Sequence, residues 1–169
     1  MRVWKPYSKI PYRAASSSTM PVLENPTLNP ARIWIVLGAI FAALAVAAGA
    51  FGAHALEATM ENAEAGPKRL AAWKTAAQYQ FLSALGLIAL GLMQTTKTKS
   101  QFAAGVLMTV GILIFSGVLY AYTLTYIKIL GAIVPIGGLS MLAAWICFAI
   151  SAIGATRGTS AITLDEATQ

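Results

Sequence analysis

His54, the single histidine of the sequence, is a candidate for proton transfer or metal binding. It follows the run Gly49–Ala53, and Glu57 comes three residues later. Side chains three apart share a helix face, so a continuing helix would place the imidazole beside the carboxylate. Such a pair suits a proton relay or half of a metal site, but it supplies too few ligands for zinc or haem in a monomer. A histidine that caps the carbonyl end of a helix is the favoured interpretation.

Polar side chains form a face on each of two later apolar stretches. The first face consists of Thr75, Gln78, Tyr79 and Ser83, which span about 140° of a helical wheel, with Gln80 beside them. The second face consists of Ser116, Tyr120 and Thr123. Amides and hydroxyls in membrane helices usually hydrogen-bond between helices, so packing is the favoured interpretation and a polar site is the alternative.

The elements that carry these residues are apolar enough to cross a membrane. Of the 169 residues, 57% are hydrophobic and 11% are charged, against about 25% charged in a soluble domain. The pattern predicts an all-α fold, a four-helix transmembrane bundle with antiparallel, up-down topology. The expected helices are residues 33–53, 75–93, 102–126 and 129–155. None of these ranges contains Asp, Glu, Lys or Arg, which argues against a proton- or cation-coupled transporter.

Small residues and a proline predict where the helices approach one another. Ala39, Ala43 and Ala47 repeat at four-residue spacing, which is typical of a close helix contact within the chain or in a dimer. Pro135 is expected to kink the fourth helix near its start. Gly137 and Gly138 are expected to allow close backbone approach there.

Polar segments flank the predicted membrane domain, residues 31–155. Residues 1–30 form an irregular basic arm whose Ser-rich, acid-poor composition resembles a mitochondrial transit peptide; the alternative is that translation starts at Met20. Residues 156–169 are a polar tail. Cys147 is the single cysteine and cannot form an internal disulfide. Cysteine usage therefore does not indicate whether the protein lies in a reducing or an oxidising compartment.

Alternating helix directions would bring four segments to one face of the membrane. They are the end of the first helix at His54, the start of the second near Gln78, the end of the third near Ser116 and Tyr120, and the start of the fourth at Pro135. The opposite halves of the helices contain mainly Ala, Leu and Ile. We therefore predict that any site is a polar cluster of His54, Gln78, Ser116 and Tyr120.

The distribution of basic residues predicts that both termini lie in the cytoplasm. Four spans put the termini and the second loop on one side, with eight of the twelve Lys and Arg residues. The other four lie on the opposite side. The difference depends on the basic arm, because a start at Met20 leaves four against four.

Four motifs in order along the chain carry a family resemblance. They are Gly49-Ala50-Phe51-Gly52-Ala53-His54, Trp73-Lys74-Thr75-Ala76 with Tyr79-Gln80, Phe115-Ser116-Gly117-x-Leu119-Tyr120, and Pro135-Ile136-Gly137-Gly138 with Trp145. Over residues 33–155 the sequence resembles the YgdD/YwdK-like family of small four-helix membrane proteins, domain of unknown function 423, whose eukaryotic relatives are called transmembrane protein 256. The resemblance implies a bacterial inner-membrane protein, or a mitochondrial one in a eukaryote, and brings no established activity, ligand or cofactor.

The chain departs from the family pattern at two positions. The family usually has a histidine where this chain has Ser83, and often a serine where it has Val118. Ser83 removes the second histidine that a His-pair metal or haem site would need.

These features favour a structural or accessory subunit of a larger membrane complex, or a homo-oligomer, without enzymatic activity. The alternative is a pore or carrier for a small neutral solute, which requires a continuous polar path. The expected partner is the lipid bilayer, with no cofactor. Nucleic acid is not expected, because the charges lie between the apolar stretches rather than in a basic patch. The expected location is the bacterial inner (plasma) membrane, with a mitochondrial membrane as the alternative.

Overall fold

Four helices of membrane-spanning length follow one another in the part of the chain that the structure describes. The computed structural model describes residues 30–93 and 99–166, with side chains at 32–93 and 99–153. No strand occurs within these ranges. The helices that are long and apolar enough to cross a membrane are Arg32–Met60, Gly66–Leu92, Lys99–Thr125 and Lys128–Ile153. The predicted all-α fold with four such helices is confirmed. Apart from its last residue, the predicted N-terminal arm lies outside the described residues.

The first helix extends beyond the apolar stretch that predicted it. It runs from Pro30 to Phe51, continues through a π-helical turn, Gly52–Leu56, and ends in a last α-helical turn, Glu57–Met60. Leu56 and Met60 are four residues apart and are both buried against Trp73. This packing against the second helix accounts for the extension, since tertiary contacts stabilise a helix more than its own propensity does.

The second helix, Gly66–Leu92, begins nine residues before the expected position. Ala65 immediately before it has φ 52° and ψ 28°, a left-handed conformation that reverses the chain after the first helix. Pro67 lies in the first turn. Backbone N–H groups there have no acceptor within the helix, so a proline breaks no helical hydrogen bond. Residues 66–74, which precede the predicted second span, are therefore the start of this helix.

The third helix is Lys99–Gly111, a π-helical turn Ile112–Ser116, and Gly117–Thr125. Tyr126 ends it with φ 55°. A 3₁₀ turn, Lys128–Ala132, leads to the fourth helix, Val134–Glu166. Pro135 is thus the second residue of the fourth α-helix, separated from the 3₁₀ turn by Ile133. Most of the predicted polar tail continues this helix, and residues 167–169 lie outside the described residues.

Contacts between neighbouring helices proceed in opposite chain directions. Between the first and second helices, Trp73 bonds Ala48 and Gln80 bonds Phe41. Between the second and third helices, Arg69 hydrogen-bonds to Thr123, and Gln101 hydrogen-bonds to Leu90. Between the third and fourth helices, Gly137 lies against Phe115 and Ser140 bonds Leu107. The up-down arrangement across a membrane stays a prediction.

A small apolar core joins the four helices, and the remaining apolar side chains face outward. The fully buried residues include Leu87 and Leu90 of the second helix, Ala104 and Met108 of the third, and Ala144 of the fourth. Large exposed apolar side chains cover the outside of every helix, from Ile33 to Ile153. A soluble monomer rarely exposes a continuous apolar surface of this kind. The outer surface is suited to contact with lipid.

Candidate functional site

Side-chain hydrogen bonds to main-chain carbonyls connect the second helix to the first. The Trp73 indole Nε1 donates to the Ala48 carbonyl at 2.7 Å. Gln80 Nε2 donates to the Phe41 carbonyl at 2.9 Å, and Tyr120 Oη of the third helix donates to Gln80 Oε1 at 3.1 Å. Gln80 thereby links three helices. We call Trp73, Gln80, Ser116 and Tyr120 the polar layer.

Equivalent bonds connect the second helix to the third. Ser116 Oγ, buried in the second π-helical turn, donates to the Ala76 carbonyl at 2.9 Å. Nearer the helix ends, Thr123 Oγ1 donates to the Arg69 carbonyl at 3.0 Å. The Arg69 side chain returns this contact, with Nε and Nη2 donating to the Thr123 carbonyl at 2.8 and 2.6 Å. The two helices are thus joined by reciprocal side-chain to main-chain bonds.

Arg69 closes the end of the third helix. Its side chain is buried, and Nη2 also donates to the Leu124 carbonyl at 3.3 Å. The guanidinium lies 5.2 Å from the centre of the Tyr126 ring. A cation at a helix C-terminus satisfies the last carbonyls and interacts favourably with the helix dipole. Arg69 is therefore a structural cap within the fold.

Trp73 lies in an aromatic stack that depends on the π-helical turn of the first helix. Its ring is 5.5 Å from that of Phe51 and 4.4 Å from that of Tyr120. A Cβ at Gly52 would lie 2.6 Å from Trp73 Cδ1, so the indole needs a glycine beneath it. π-helical turns occur frequently at functional sites, and this one brings the helix backbone close to the polar layer.

The structure separates the four residues of the predicted polar cluster. Ser116 and Tyr120 belong to the polar layer, whereas His54 and Gln78 are exposed on the outside. Gln80, rather than Gln78, contacts Tyr120. The helical wheel predicts Gln80 beside the polar face of the second helix. Its hydrogen-bond acceptor is the main-chain carbonyl of Phe41, which no sequence pattern identifies.

His54 and Glu57 both lie exposed on the first helix. His54 lies inside the first π-helical turn, which alters the helical spacing that would align it with Glu57. Glu57 instead pairs with Lys74 at 3.7 Å, and both side chains are more than half exposed. Among the described residues, no group of three or more His, Cys, Asp and Glu could hold a metal ion.

Close packing places Gly137 and Gly138 in different surroundings. A Cβ at Gly137 would contact the Phe115 backbone N and lie 2.8 Å from its Cα. A Cβ at Gly138 would meet only the Phe115 ring, at 3.7 and 3.8 Å. Gly137 therefore sets the close approach of the third and fourth helices, and Gly138 leaves space beside them.

An open cavity of about 860 Å³ lies between the second and fourth helices, with the third helix at its base. We call it the apolar groove. Its lining consists of Thr75, Tyr79, Leu82, Ser83, Leu85, Gly86, Ala89, Phe115, Gly138, Met141, Leu142, Trp145 and Phe148. The volume is in the range of small-molecule sites in proteins, and the chemistry of the lining is dominated by apolar and aromatic groups.

A second surface feature is a row of small residues on the first helix, which we call the alanine face. Ala39, Ala43 and Ala47 are exposed on the outside of the helix. Gly38, in contrast, is buried against the second helix, where a Cβ would lie 2.7 Å from the Ala84 carbonyl oxygen. The internal helix contact thus uses Gly38, and among the described residues the alanine face stays exposed.

Comparisons with known proteins find similar membrane proteins. The sequence profile of the family described as a protein of unknown function, DUF423, matches residues 48–138. The UPF0382 membrane protein of Staphylococcus haemolyticus is 42% identical over 120 residues, covering 71% of this chain and 94% of the relative. The UPF0382 membrane protein YwdK of Bacillus subtilis is 42% identical over 124 residues, covering 72% of this chain and 97% of the relative. No solved structure matches the chain.

Proposed function

This chain belongs to the DUF423 family of membrane proteins of unknown function, and from that premise we propose that it is a structural or accessory subunit of a larger membrane assembly. In this proposal the alanine face of the first helix is the surface that contacts the partner. The observation that carries the proposal is the exposure of Ala39, Ala43 and Ala47 at four-residue spacing on an otherwise apolar helix.

Small residues at this spacing favour helix association in lipid. Because lipid tails are as apolar as leucine, helices associate in a membrane through close van der Waals contact, and small side chains let two backbones approach. Large apolar side chains, Val36, Ile40 and Leu44, flank the alanine face. They would border a partner helix on one side of such a contact.

The alternative, a pore for a neutral solute, has less support from the interior. A pore needs polar groups that remain available to the solute along its whole length. The donors of the polar layer are instead hydrogen-bonded to main-chain carbonyls within the fold. Trp73 donates to the Ala48 carbonyl, and Ser116 donates to the Ala76 carbonyl. The core beyond it is apolar, with Leu87, Leu90 and Met108 fully buried.

The proposal also gives the chain no enzymatic role. The strongest titratable candidates, His54 and Glu57, are exposed, and Glu57 pairs with Lys74. We place the protein in the bacterial inner membrane with cytoplasmic termini, supported by the bacterial membrane-protein relatives and the positive charge of the arm.

The experiment is a native gel of the tagged full-length protein extracted in a mild detergent, with mass spectrometry of the co-migrating bands. We expect migration with a larger assembly in constant stoichiometry. Ala43→Phe should release the chain from that assembly, whereas Ile150→Phe, at an exposed position on the fourth helix, should not. Migration of the unaltered chain as a monomer would contradict the proposal.

A further inference from the structure

The apolar groove has the shape and the neighbouring charge of a lipid site. We propose that it binds the acyl chains of an anionic membrane lipid whose head group contacts Lys68. This site is separate from the alanine face, so its failure and that of the proposed subunit role can be told apart.

The length of the groove suits acyl chains. From Thr75 to Ala89 the groove follows 15 residues of the second helix, with about 21 Å between its ends at 1.5 Å per residue. This length is about two thirds of the ~30 Å hydrocarbon thickness of a bilayer. Flexible hydrocarbon chains can follow an open apolar groove of this length along the helix.

The lining of the groove is slightly polar at one end and mainly apolar and aromatic at the other. Thr75 and Tyr79 lie at the end nearer the start of the second helix, and Trp145 and Phe148 lie further along. The groove opens onto the exposed apolar surface of the helices, where the bilayer supplies hydrocarbon at very high concentration. A lipid would therefore lie with its tails toward Trp145 and its polar end toward Thr75.

Positive charge lies beyond the polar end of the groove. Lys68 is seven residues before Thr75, which places it about 20° away on the same helix face and about 10 Å nearer the helix start. Ala71 and Ala72 lie between them and present only small side chains. The surface from the groove to Lys68 is therefore not blocked by a bulky residue of this helix.

The charge on Lys68 is available for an anion. Among the described residues, Lys74 and Glu57 form the one ion pair with an N···O distance within 4 Å. No carboxylate in this part of the chain therefore lies within 4 Å of the Lys68 ammonium group. The first turn of the second helix contains no acidic residue. Arg69, the neighbouring cation, is already bonded to the carbonyls of Thr123 and Leu124. The complementary head group is an anionic one such as a phosphodiester without a compensating amine.

Trp145 provides the probe that tests this site. It lines the groove with 42% of its surface exposed, whereas Trp34 and Trp73 are 8% and 7% exposed. The full chain carrying Trp4→Phe is reconstituted in phosphatidylcholine bilayers, and Trp fluorescence is quenched with phospholipids brominated on their acyl chains. We expect brominated phosphatidylglycerol to reach half-maximal quenching at about a fivefold lower mole fraction than brominated phosphatidylcholine, the effect of one lysine near a membrane surface.

Matched variants separate the groove from general lipid contact. Lys68→Gln should abolish the fivefold difference, and Lys74→Gln, on another face of the same helix, should preserve it. Ala89→Phe fills the groove and should reduce the phosphatidylglycerol effect, whereas Ile150→Phe, at an exposed position of the fourth helix outside the groove, should not. Equal quenching by the two lipids in the unaltered chain would overturn the proposal. So would a loss of the difference in Lys74→Gln but not in Lys68→Gln. An absence of quenching by either lipid would show that protein covers the groove, which also overturns it.

Discussion

The contact between Gly137 and Phe115 makes a quantitative prediction about stability. In Gly137→Ala the new Cβ would lie 2.8 Å from Phe115 Cα and nearer still to its N, where ordinary contact begins at 3.4 Å. These are backbone atoms that cannot rotate away, so the third and fourth helices must separate by more than half an ångström. Overpacking of this kind costs about 1–3 kcal/mol, and the fixed backbone places this substitution at the upper end.

The neighbouring glycine supplies the matched control. In Gly138→Ala the Cβ would meet the Phe115 ring at 3.7 Å, an ordinary contact. Both substitutions gain up to about 1 kcal/mol of helix propensity. We therefore expect Gly137→Ala to lower the free energy of unfolding by about 2 kcal/mol and Gly138→Ala to raise it by up to about 1 kcal/mol, a difference of ~3 kcal/mol between adjacent positions.

Reversible unfolding by sodium dodecyl sulfate in mixed micelles, followed by far-ultraviolet circular dichroism, gives both free energies. Gly117→Ala is a second control, because nothing lies within 4 Å of a Cβ at that helical position. Equal stability of Gly137→Ala and Gly138→Ala would refute the reasoning. Greater loss in Gly138→Ala would show that the two helices pack through the other residue.

Three further predictions follow from the hydrogen bonds. In the same unfolding assay, Arg69→Met should lower the free energy of unfolding by about 3 kcal/mol, because the carbonyls at the end of the third helix lose a charged donor. Lys74→Met removes one partner of an exposed ion pair and should lower it by less than about 1 kcal/mol. Gln80→Leu should lower the free energy of unfolding by about 1–2 kcal/mol, because the Tyr120 hydroxyl loses its acceptor. Gln78→Leu, at an exposed position, should change it by less than about 0.5 kcal/mol. A greater loss in Gln78→Leu would contradict the assignment of Gln80 as the partner of Tyr120. A double-mutant cycle should give a coupling near 0.6 kcal/mol between Gln80 and Tyr120 and none between Gln78 and Tyr120.

The spans were predictable from the sequence because a membrane helix depends on a local property, an unbroken run of apolar residues. The ends of the helices were less predictable, because they depend on contacts between distant residues. Leu56 and Met60 extend the first helix by packing on Trp73. Arg69 precedes the predicted second span, and it is buried because the Thr123 carbonyl, 54 residues along the chain, accepts its hydrogen bonds.

Some residues of the polar layer follow from the sequence pattern and others do not. Ser116 and Tyr120 lie at the contact between helices, as polar groups in apolar surroundings must find partners. Gln78 and Gln80 are two residues apart and could not be distinguished by type. Their roles depend on which side chain reaches the Phe41 carbonyl, and main-chain acceptors leave no pattern in a sequence. The π-helical turns that contain His54 and Ser116 were likewise not predicted from the sequence.

Photocrosslinking from the alanine face in living cells tests the subunit proposal most directly. A photoreactive phenylalanine analogue is placed at residue 43 on the first helix, and in a control chain at residue 150, an exposed position on the fourth helix. We predict one discrete crosslinked product of fixed mass from residue 43, containing a second membrane protein or a second copy of this chain, and no such product from residue 150. Crosslinks to lipid alone from residue 43 would contradict the account.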